Sequence, residues 1–135
     1  MDLGIKGKVA LVTGGSRGLG RQSALALAAE GVNVAICARG EGILNQTADE
    51  LKSTGVKVGA FVADLGDESG AADLVAKTEA ELGPIDILVN NVGGSLGTSD
   101  LVNSSLADFH RVMDANLWSA VALMKHVVPG MQERG

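Results

Sequence analysis

The sequence has no tyrosine, two phenylalanines, one tryptophan, two prolines and a single cysteine in 135 residues. Without a phenol, the side chain of highest pKa among the common uncharged acids is missing, and proton transfer within this chain would have to use another group. One cysteine permits no intrachain disulfide, so nothing favours an oxidising compartment. Cys37 lies in the apolar run Val32 to Ala38 and reads as a small core residue. There is also no run of basic residues, and the formal net charge is −5. Nucleic acid and anionic membrane surfaces are therefore poor partners, because both call for an electropositive patch.

Long hydrophobic runs are missing as well. No segment approaches membrane-spanning length, and Met1 to Lys8 lacks the basic segment and apolar stretch of a signal peptide, which predicts a cytoplasmic protein. His110 and His126 are scattered, and no Cys/His/acid cluster has metal-ligand spacing. Ser104, Ser105 and His110 lack an orienting acid and a nucleophile elbow, so they make no triad. Both histidines read as surface or packing residues.

What is present is 46% hydrophobic residues, 20% charged residues and 19 glycines. That balance fits a soluble α/β protein with tight turns, and the length suits one core rather than two ordinary domains. Strand-like runs fall at about residues 8–13, 32–38, 56–63 and 85–90, with a helical pattern in each gap. The second gap rests on Leu44, Thr47, Ala48 and Leu51 before Gly55. The third is clearer: Asp67 can cap it, Ala71, Leu74, Val75, Thr78 and Leu82 share a face, and Gly83-Pro84 stops it. Strands that are nearly continuous Val, Ile, Leu and Ala are covered on both faces, as in a parallel sheet flanked by helices. Right-handed crossovers then give a Rossmann-type doubly wound α/β fold.

Gly93 to Ser105 reads as a loop. Beyond it Phe109, Met113, Leu117, Ala120, Met124, Val128 and Met131 recur at three- and four-residue spacing, which predicts a helix packing this stripe into the core. Trp118 falls on the opposite side, so the helix needs a second covering partner, and burying that indole would contribute roughly 2 kcal/mol.

The most informative stretch is Thr13-Gly14-Gly15-Ser16-Arg17-Gly18-Leu19-Gly20, between the run Val9 to Val12 and a helical segment. A strand, a glycine turn and a helix N-terminus in that order suit a phosphate-bearing nucleotide, because glycine admits close backbone approach and the first helical N–H groups favour an anion. Taken alone, three glycines also fit an ordinary turn. The run Val32 to Ala38, directly after Gly31, completes a βαβ unit.

Three motifs together resemble the short-chain dehydrogenase/reductase family, particularly its carbonyl and 3-oxoacyl reductase-like members. Thr13 to Gly20 is similar to the family's T-G-x-x-x-G-x-G, Asn90-Asn91-Val92-Gly93 to its N-N-A-G after the fourth strand, and Asn116 to its helix asparagine. The resemblance covers essentially the whole chain but only about the N-terminal half of the family's domain. It implies a sheet ordered 3-2-1-4 with a dinucleotide across the carboxyl ends of the strands. It also implies that Gly14, Ser16, Arg17, Gly18, Leu19 and Gly20 line the diphosphate and ribose, that Asp64 and Leu65 hold the adenine, and that Asn91 and Gly93 pass the ribose and nicotinamide. A turn or cap role for Asp64 is the competing reading. Val92 stands where the family has alanine, adding bulk at that turn.

Cofactor choice follows from charge. NAD sites commonly place an acid at the end of the second strand for the ribose 2′-hydroxyl. Here Ala38 is followed by Arg39, and Arg17 sits in the glycine turn, so two guanidinium groups can meet a 2′-phosphate and NADP(H) is expected over NAD(H). Solvated surface arginines are the alternative.

Asn116 falls in the apolar stripe, where an unpaired amide would cost about 1–3 kcal/mol, so it needs partners. The resemblance gives it the family's catalytic-centre role, supporting a water that positions a lysine; a locally satisfied core asparagine is the rival. The family's chemistry is hydride transfer between nicotinamide and a small-molecule carbonyl or alcohol, in a homo-oligomer, using a serine and a Y-x-x-x-K pair that this chain lacks. Two expectations result. Either the chain is a fragment of an NADP(H)-dependent oxidoreductase, inactive alone, or it is a non-catalytic half-domain that pairs with another chain. Both leave Ile85 to Asn90 as an apolar sheet edge.

Overall fold

The structure is a computed structural model that describes residues 1–66, 68–98 and 100–135. Strands β1 (Val9–Thr13), β2 (Asn33–Ala38), β3 (Val58–Val62) and β4 (Ile87–Val89) are separated by helices α1 (Gly18–Ala29), α2 (Glu41–Lys52) and α3 (Glu68–Leu82). Helix α4 (Leu106–Met113), a π-turn over Asp114–Trp118 and α5 (Ser119–Arg134) follow as one continuous rod. All strand pairs are parallel, in the order β3-β2-β1-β4, as the resemblance implied. The Asp67 cap expected for α3 lies outside the described residues.

Every residue of β1 is buried, and the alternation along it divides the core. Ala10 and Val12 pack with Val34, Ile36, Leu44 and Leu51 beneath α1 and α2. Leu11 packs with Ala35, Cys37, Leu74, Leu123 and Val127 beneath α3 and α5. Two apolar layers, one on each face of the sheet, are what strands without polar alternation require. Burial and loss of water push the Cys37 thiol up to about 11, only partly offset by the Gly14 N–H, so it is a neutral core group.

Among the described residues, strand β4 pairs only with β1 and forms an edge. Its three side chains are half-buried, and Ile85 before it is fully buried, so the exposed feature is the backbone edge more than an apolar surface. Asp86 ties the strand's start to β1: its carboxylate accepts from Val9 N at 2.9 Å.

The expected stripe on the last helix is corrected. Met113 is 46% exposed, Leu117 41%, Met124 42% and Val128 38%, whereas the buried residues of α5 are Ser119, Leu123 and Val127. The face that packs runs through Ser119, Leu123 and Val127, each one residue before the expected Ala120, Met124 and Val128, and Met113 is exposed although it precedes the π-turn at Asp114–Trp118. Met131 still packs beside the second core layer. Trp118 is exposed too, so the rod presents apolar groups on more than one side.

Helix α4 starts with a capping box. Ser105 Oγ accepts from Asp108 N at 3.1 Å, and the Asp108 carboxylate accepts from Ser105 N at 2.9 Å. The Ser105 N–H, the Ser105 hydroxyl and Arg111 together hold the Asp108 carboxyl down at about 2. Because that lies below the ordinary carboxylate value near 4, the charged cap stabilises α4 at neutral pH, and this is lost as pH falls from about 4 toward 2. Carboxyl-carbon NMR titration should place the Asp108 midpoint near 2, and Asp108→Asn should remove the loss of α4 helicity in that window.

Candidate functional site

A cavity of about 700 Å³ opens at the carboxyl ends of the strands. Gly14, Ser16 and Arg17 line it after β1; Cys37, Ala38, Arg39 and Gly40 after β2; Ala63 to Gly66 after β3; Asn91, Val92, Gly93 and Leu96 after β4. Arg111, Asp114 and Ala115 close it from the α4 side. The strand order places β1 between β2 and β4, and adjacent crossovers on opposite sides of a parallel sheet leave a crevice there. Of the residues expected at a nucleotide site, Gly14, Ser16, Arg17, Arg39, Asp64, Leu65, Asn91 and Gly93 share this wall, while Gly18, Leu19, Gly20 and Asn116 stand outside it.

The glycine turn is fixed by contacts on three sides. Thr13 Oγ1 accepts from Asn91 N at 3.0 Å and Val92 N at 3.1 Å, joining the ends of β1 and β4. Asn91 Nδ2 donates to Gly14 O at 3.2 Å. From α2, the buried Thr47 hydroxyl donates to Ser16 O at 2.8 Å. Gly20, in the first turn of α1, is buried against this assembly: a Cβ there would meet Gly14 O at 2.2 Å and Asn91 Nδ2 at 2.5 Å. Gly20 is thus required for packing the helix onto the turn.

Charge in the cleft is distributed unevenly. Helix α1 begins at Gly18 after an extended Arg17, with no side-chain cap and no acid in its first turn, so its leading N–H groups and dipole are free to meet an anion. Arg17 and Arg39 are both exposed on the cavity wall, and neither guanidinium has a partner among the described residues. Asp64 spends one oxygen on a turn, Oδ1 accepting from Gly66 N at 2.9 Å, and keeps the other. Leu65 is mostly buried in the core beside α3 and offers the cavity only an edge.

Asn116 is exposed instead of lying in a buried stripe, and it is fully partnered. Its Nδ2 donates to Gly94 O and to Val112 O, each at 2.8 Å, and its Oδ1 accepts from Gly94 N at 2.9 Å. A Cβ on Gly93 would lie 2.4 Å from that oxygen. The side chain therefore bolts the loop after β4 to the π-turn.

Sequence reasoning missed several wall and support residues. Thr13 and Thr47 act through hydroxyls that composition cannot aim, although a hydroxyl at a strand end before glycine is a usable signal. Arg111 reaches the cleft from α4 and Asp114 and Ala115 from the π-turn, and Leu96 carried no signal. Among the described residues there is no cluster that could hold a metal, and no helix is long and apolar enough to cross a membrane.

Comparison with known proteins gives a consistent picture. A family model described as short chain dehydrogenase matches residues 8–135. A short chain dehydrogenase of Pseudocercospora fijiensis is 39% identical over 132 residues, covering 96% of this chain and 42% of that protein. The solved structure of L-sorbose reductase from Gluconobacter frateurii, complexed with NADPH and L-sorbose, superposes with a TM-score of 0.94 at 33% identity, covering 100% of this chain and 51% of that one. An NADH-dependent reductase complexed with NAD gives a TM-score of 0.91 at 30% identity over 99% of this chain and 56% of that one. The chain thus spans about half the length of the relatives it matches.

Proposed function

Because this chain belongs to the short-chain dehydrogenase family, we propose that residues 1–135 form the nucleotide-binding unit of an NADP(H)-dependent oxidoreductase acting on a small carbonyl or alcohol. The observation that carries the cofactor preference is the pairing of two unpartnered guanidinium groups, Arg17 and Arg39, on one wall with no carboxylate at the end of β2. A 2′-phosphate offers both the charge and the paired acceptor oxygens that a guanidinium fork engages, and an acid in place of Ala38 would repel it.

The residues present fit the dinucleotide. The cleft volume of about 700 Å³ lies in the range of small-molecule sites. The turn Gly14 to Arg17 and the free N–H groups of Gly18, Leu19 and Gly20 would hold the diphosphate. The open oxygen of Asp64 can accept from the adenine amine, and Asn91 and Gly93 bound the nicotinamide side. Bound there, the cofactor supplies hydride-transfer chemistry, and the share of this chain is to bind and orient. Asn116 positions the Gly93-Gly94 loop. With no tyrosine in the sequence, this chain supplies no phenol for proton transfer and is inactive by itself.

A second reading, a half-domain that pairs with another polypeptide, is favoured by the unpaired β4 edge and the exposed Met113, Leu117, Trp118 and Met124. It is compatible with the same nucleotide site.

Titrating the purified chain with NADPH and NADH while following nicotinamide emission tests the proposal. NADPH should bind about tenfold or more tightly than NADH, the effect of one or two charge-assisted hydrogen bonds. Equal affinities would remove the assignment of the arginines, and no response to either at millimolar concentration would remove the function.

A further inference from the structure

We infer that Leu96 is a binding residue that screens the β4 end of the cleft from water, covering the nicotinamide half of the dinucleotide; this rests on the function proposed above. Leu96 is the only described non-glycine residue with positive φ, at 50°. It occupies the second position of a tight turn in which Thr98 N donates to Ser95 O at 2.9 Å, and Gly97 after it has φ 85°. Two central residues at positive φ define a turn that selects glycine, asparagine or aspartate, and a γ-branched aliphatic residue is among the poor choices.

Nothing in the core demands a leucine there. It is 42% exposed and belongs to neither core layer, so the turn gains little packing in return for an unfavourable conformation. What the conformation does achieve is to put an aliphatic residue on the wall of the cavity that Val92 and Ala115 also line. Elsewhere on the wall stand Arg17 in the turn after β1, Arg39 after β2 and Asp64 after β3. One cleft therefore has guanidinium groups suited to the phosphate-bearing adenosine and, after β4, the aliphatic Val92 and Leu96 beside Asn91, suited to a flat ring with a polar amide, with Asp114 on the α4 side. Arg111, on the α4 side, is paired with Asp108. A strained residue held at the mouth of a site is a sign that the side chain serves the ligand.

Binding of NADPH and of 2′,5′-ADP, which lacks the nicotinamide half, separates this inference from the function beneath it. In Leu96→Gly the NADPH dissociation constant should rise about tenfold, the loss expected for one covering leucine, and the gain in nicotinamide emission on binding should disappear. Affinity for 2′,5′-ADP should stay within about twofold, and Leu96→Met should restore both NADPH readouts. The thermal midpoint of Leu96→Gly should equal or exceed that of the parent, since glycine suits the turn. Unchanged NADPH affinity and emission in Leu96→Gly, or equal losses for both nucleotides, would overturn the role of Leu96 alone. Failure of the parent to bind either nucleotide would overturn it together with the proposed function.

Discussion

Gly20→Ala is expected to lower the thermal midpoint of the chain by roughly 10 °C and to abolish nucleotide binding, although Gly20 does not line the cleft. The added methyl would stand 2.2 Å from Gly14 O and 2.5 Å from Asn91 Nδ2. The first neighbour is backbone within a turn held by Thr13, Asn91 and Thr47, so it cannot rotate aside as a side-chain tip would. Either α1 lifts from the sheet or the turn moves, and forced overpacking of this kind typically costs about 1–3 kcal/mol. Both responses disturb the turn from Gly14 to Arg17 that lines the cleft. Gly18→Ala provides the contrast: nothing lies within 4 Å of a Cβ there, and only its φ of 56° resists the change. Its effect on the midpoint should be clearly smaller. Differential scanning calorimetry and NADPH titration of the two variants check this, and a Gly20→Ala protein as stable as Gly18→Ala would contradict the packing described.

Arg39→Asp should reverse cofactor preference with no loss of stability. Arg39 is exposed and has no partner among the described residues, so its removal breaks no contact of the fold. In binding, the substitution acts twice. It deletes a charge-assisted contact to the 2′-phosphate, and it installs a carboxylate that repels the phosphate and can accept from a ribose 2′-hydroxyl. Each effect is worth on the order of 1–3 kcal/mol, so the ratio of NADPH to NADH affinity should fall about 30-fold or more and pass through unity. Arg39→Gln, which only deletes the charge, should lower the ratio by about tenfold. An unchanged ratio in Arg39→Asp would mean that the guanidinium points to solvent in the complex.

The order of elements and the position of the cleft were readable from the sequence because they rest on local, redundant signals. Strands buried on both faces read as unbroken Val, Ile, Leu and Ala, and β1 through β3 lie within the runs at 8–13, 32–38 and 56–63. The glycine turn declared itself through its place between β1 and α1. Strand β4 is shorter than its apolar run, with only Ile87 to Val89 in the ladder to β1.

The last helix was misread for a specific reason. Periodicity selects the most apolar side, yet that side is exposed before, within and after the π-turn at Asp114–Trp118, at Met113, Leu117, Met124 and Val128, while Ser119, Leu123 and Val127 pack. The same turn brings Asp114 and Ala115 to the cleft. Asn116 did need partners, as its amide suggested, yet it finds them in Gly94 and Val112 at the surface and not in the core. The Ser105 and Asp108 cap has a sequence signature, a hydroxyl followed three residues later by an acid. The positive φ of Leu96 has no local signature, since a leucine before glycine occurs in many settings.

An amide-resolved NMR titration of the 15N-labelled chain with NADPH tests the placement of the nucleotide. Shifts should concentrate at Gly14 to Gly20, Arg39, Asp64 and the loop from Asn91, with NADH giving weaker changes around Arg39. Shifts centred on α3 or α5, or an unperturbed glycine turn at saturating NADPH, would contradict it.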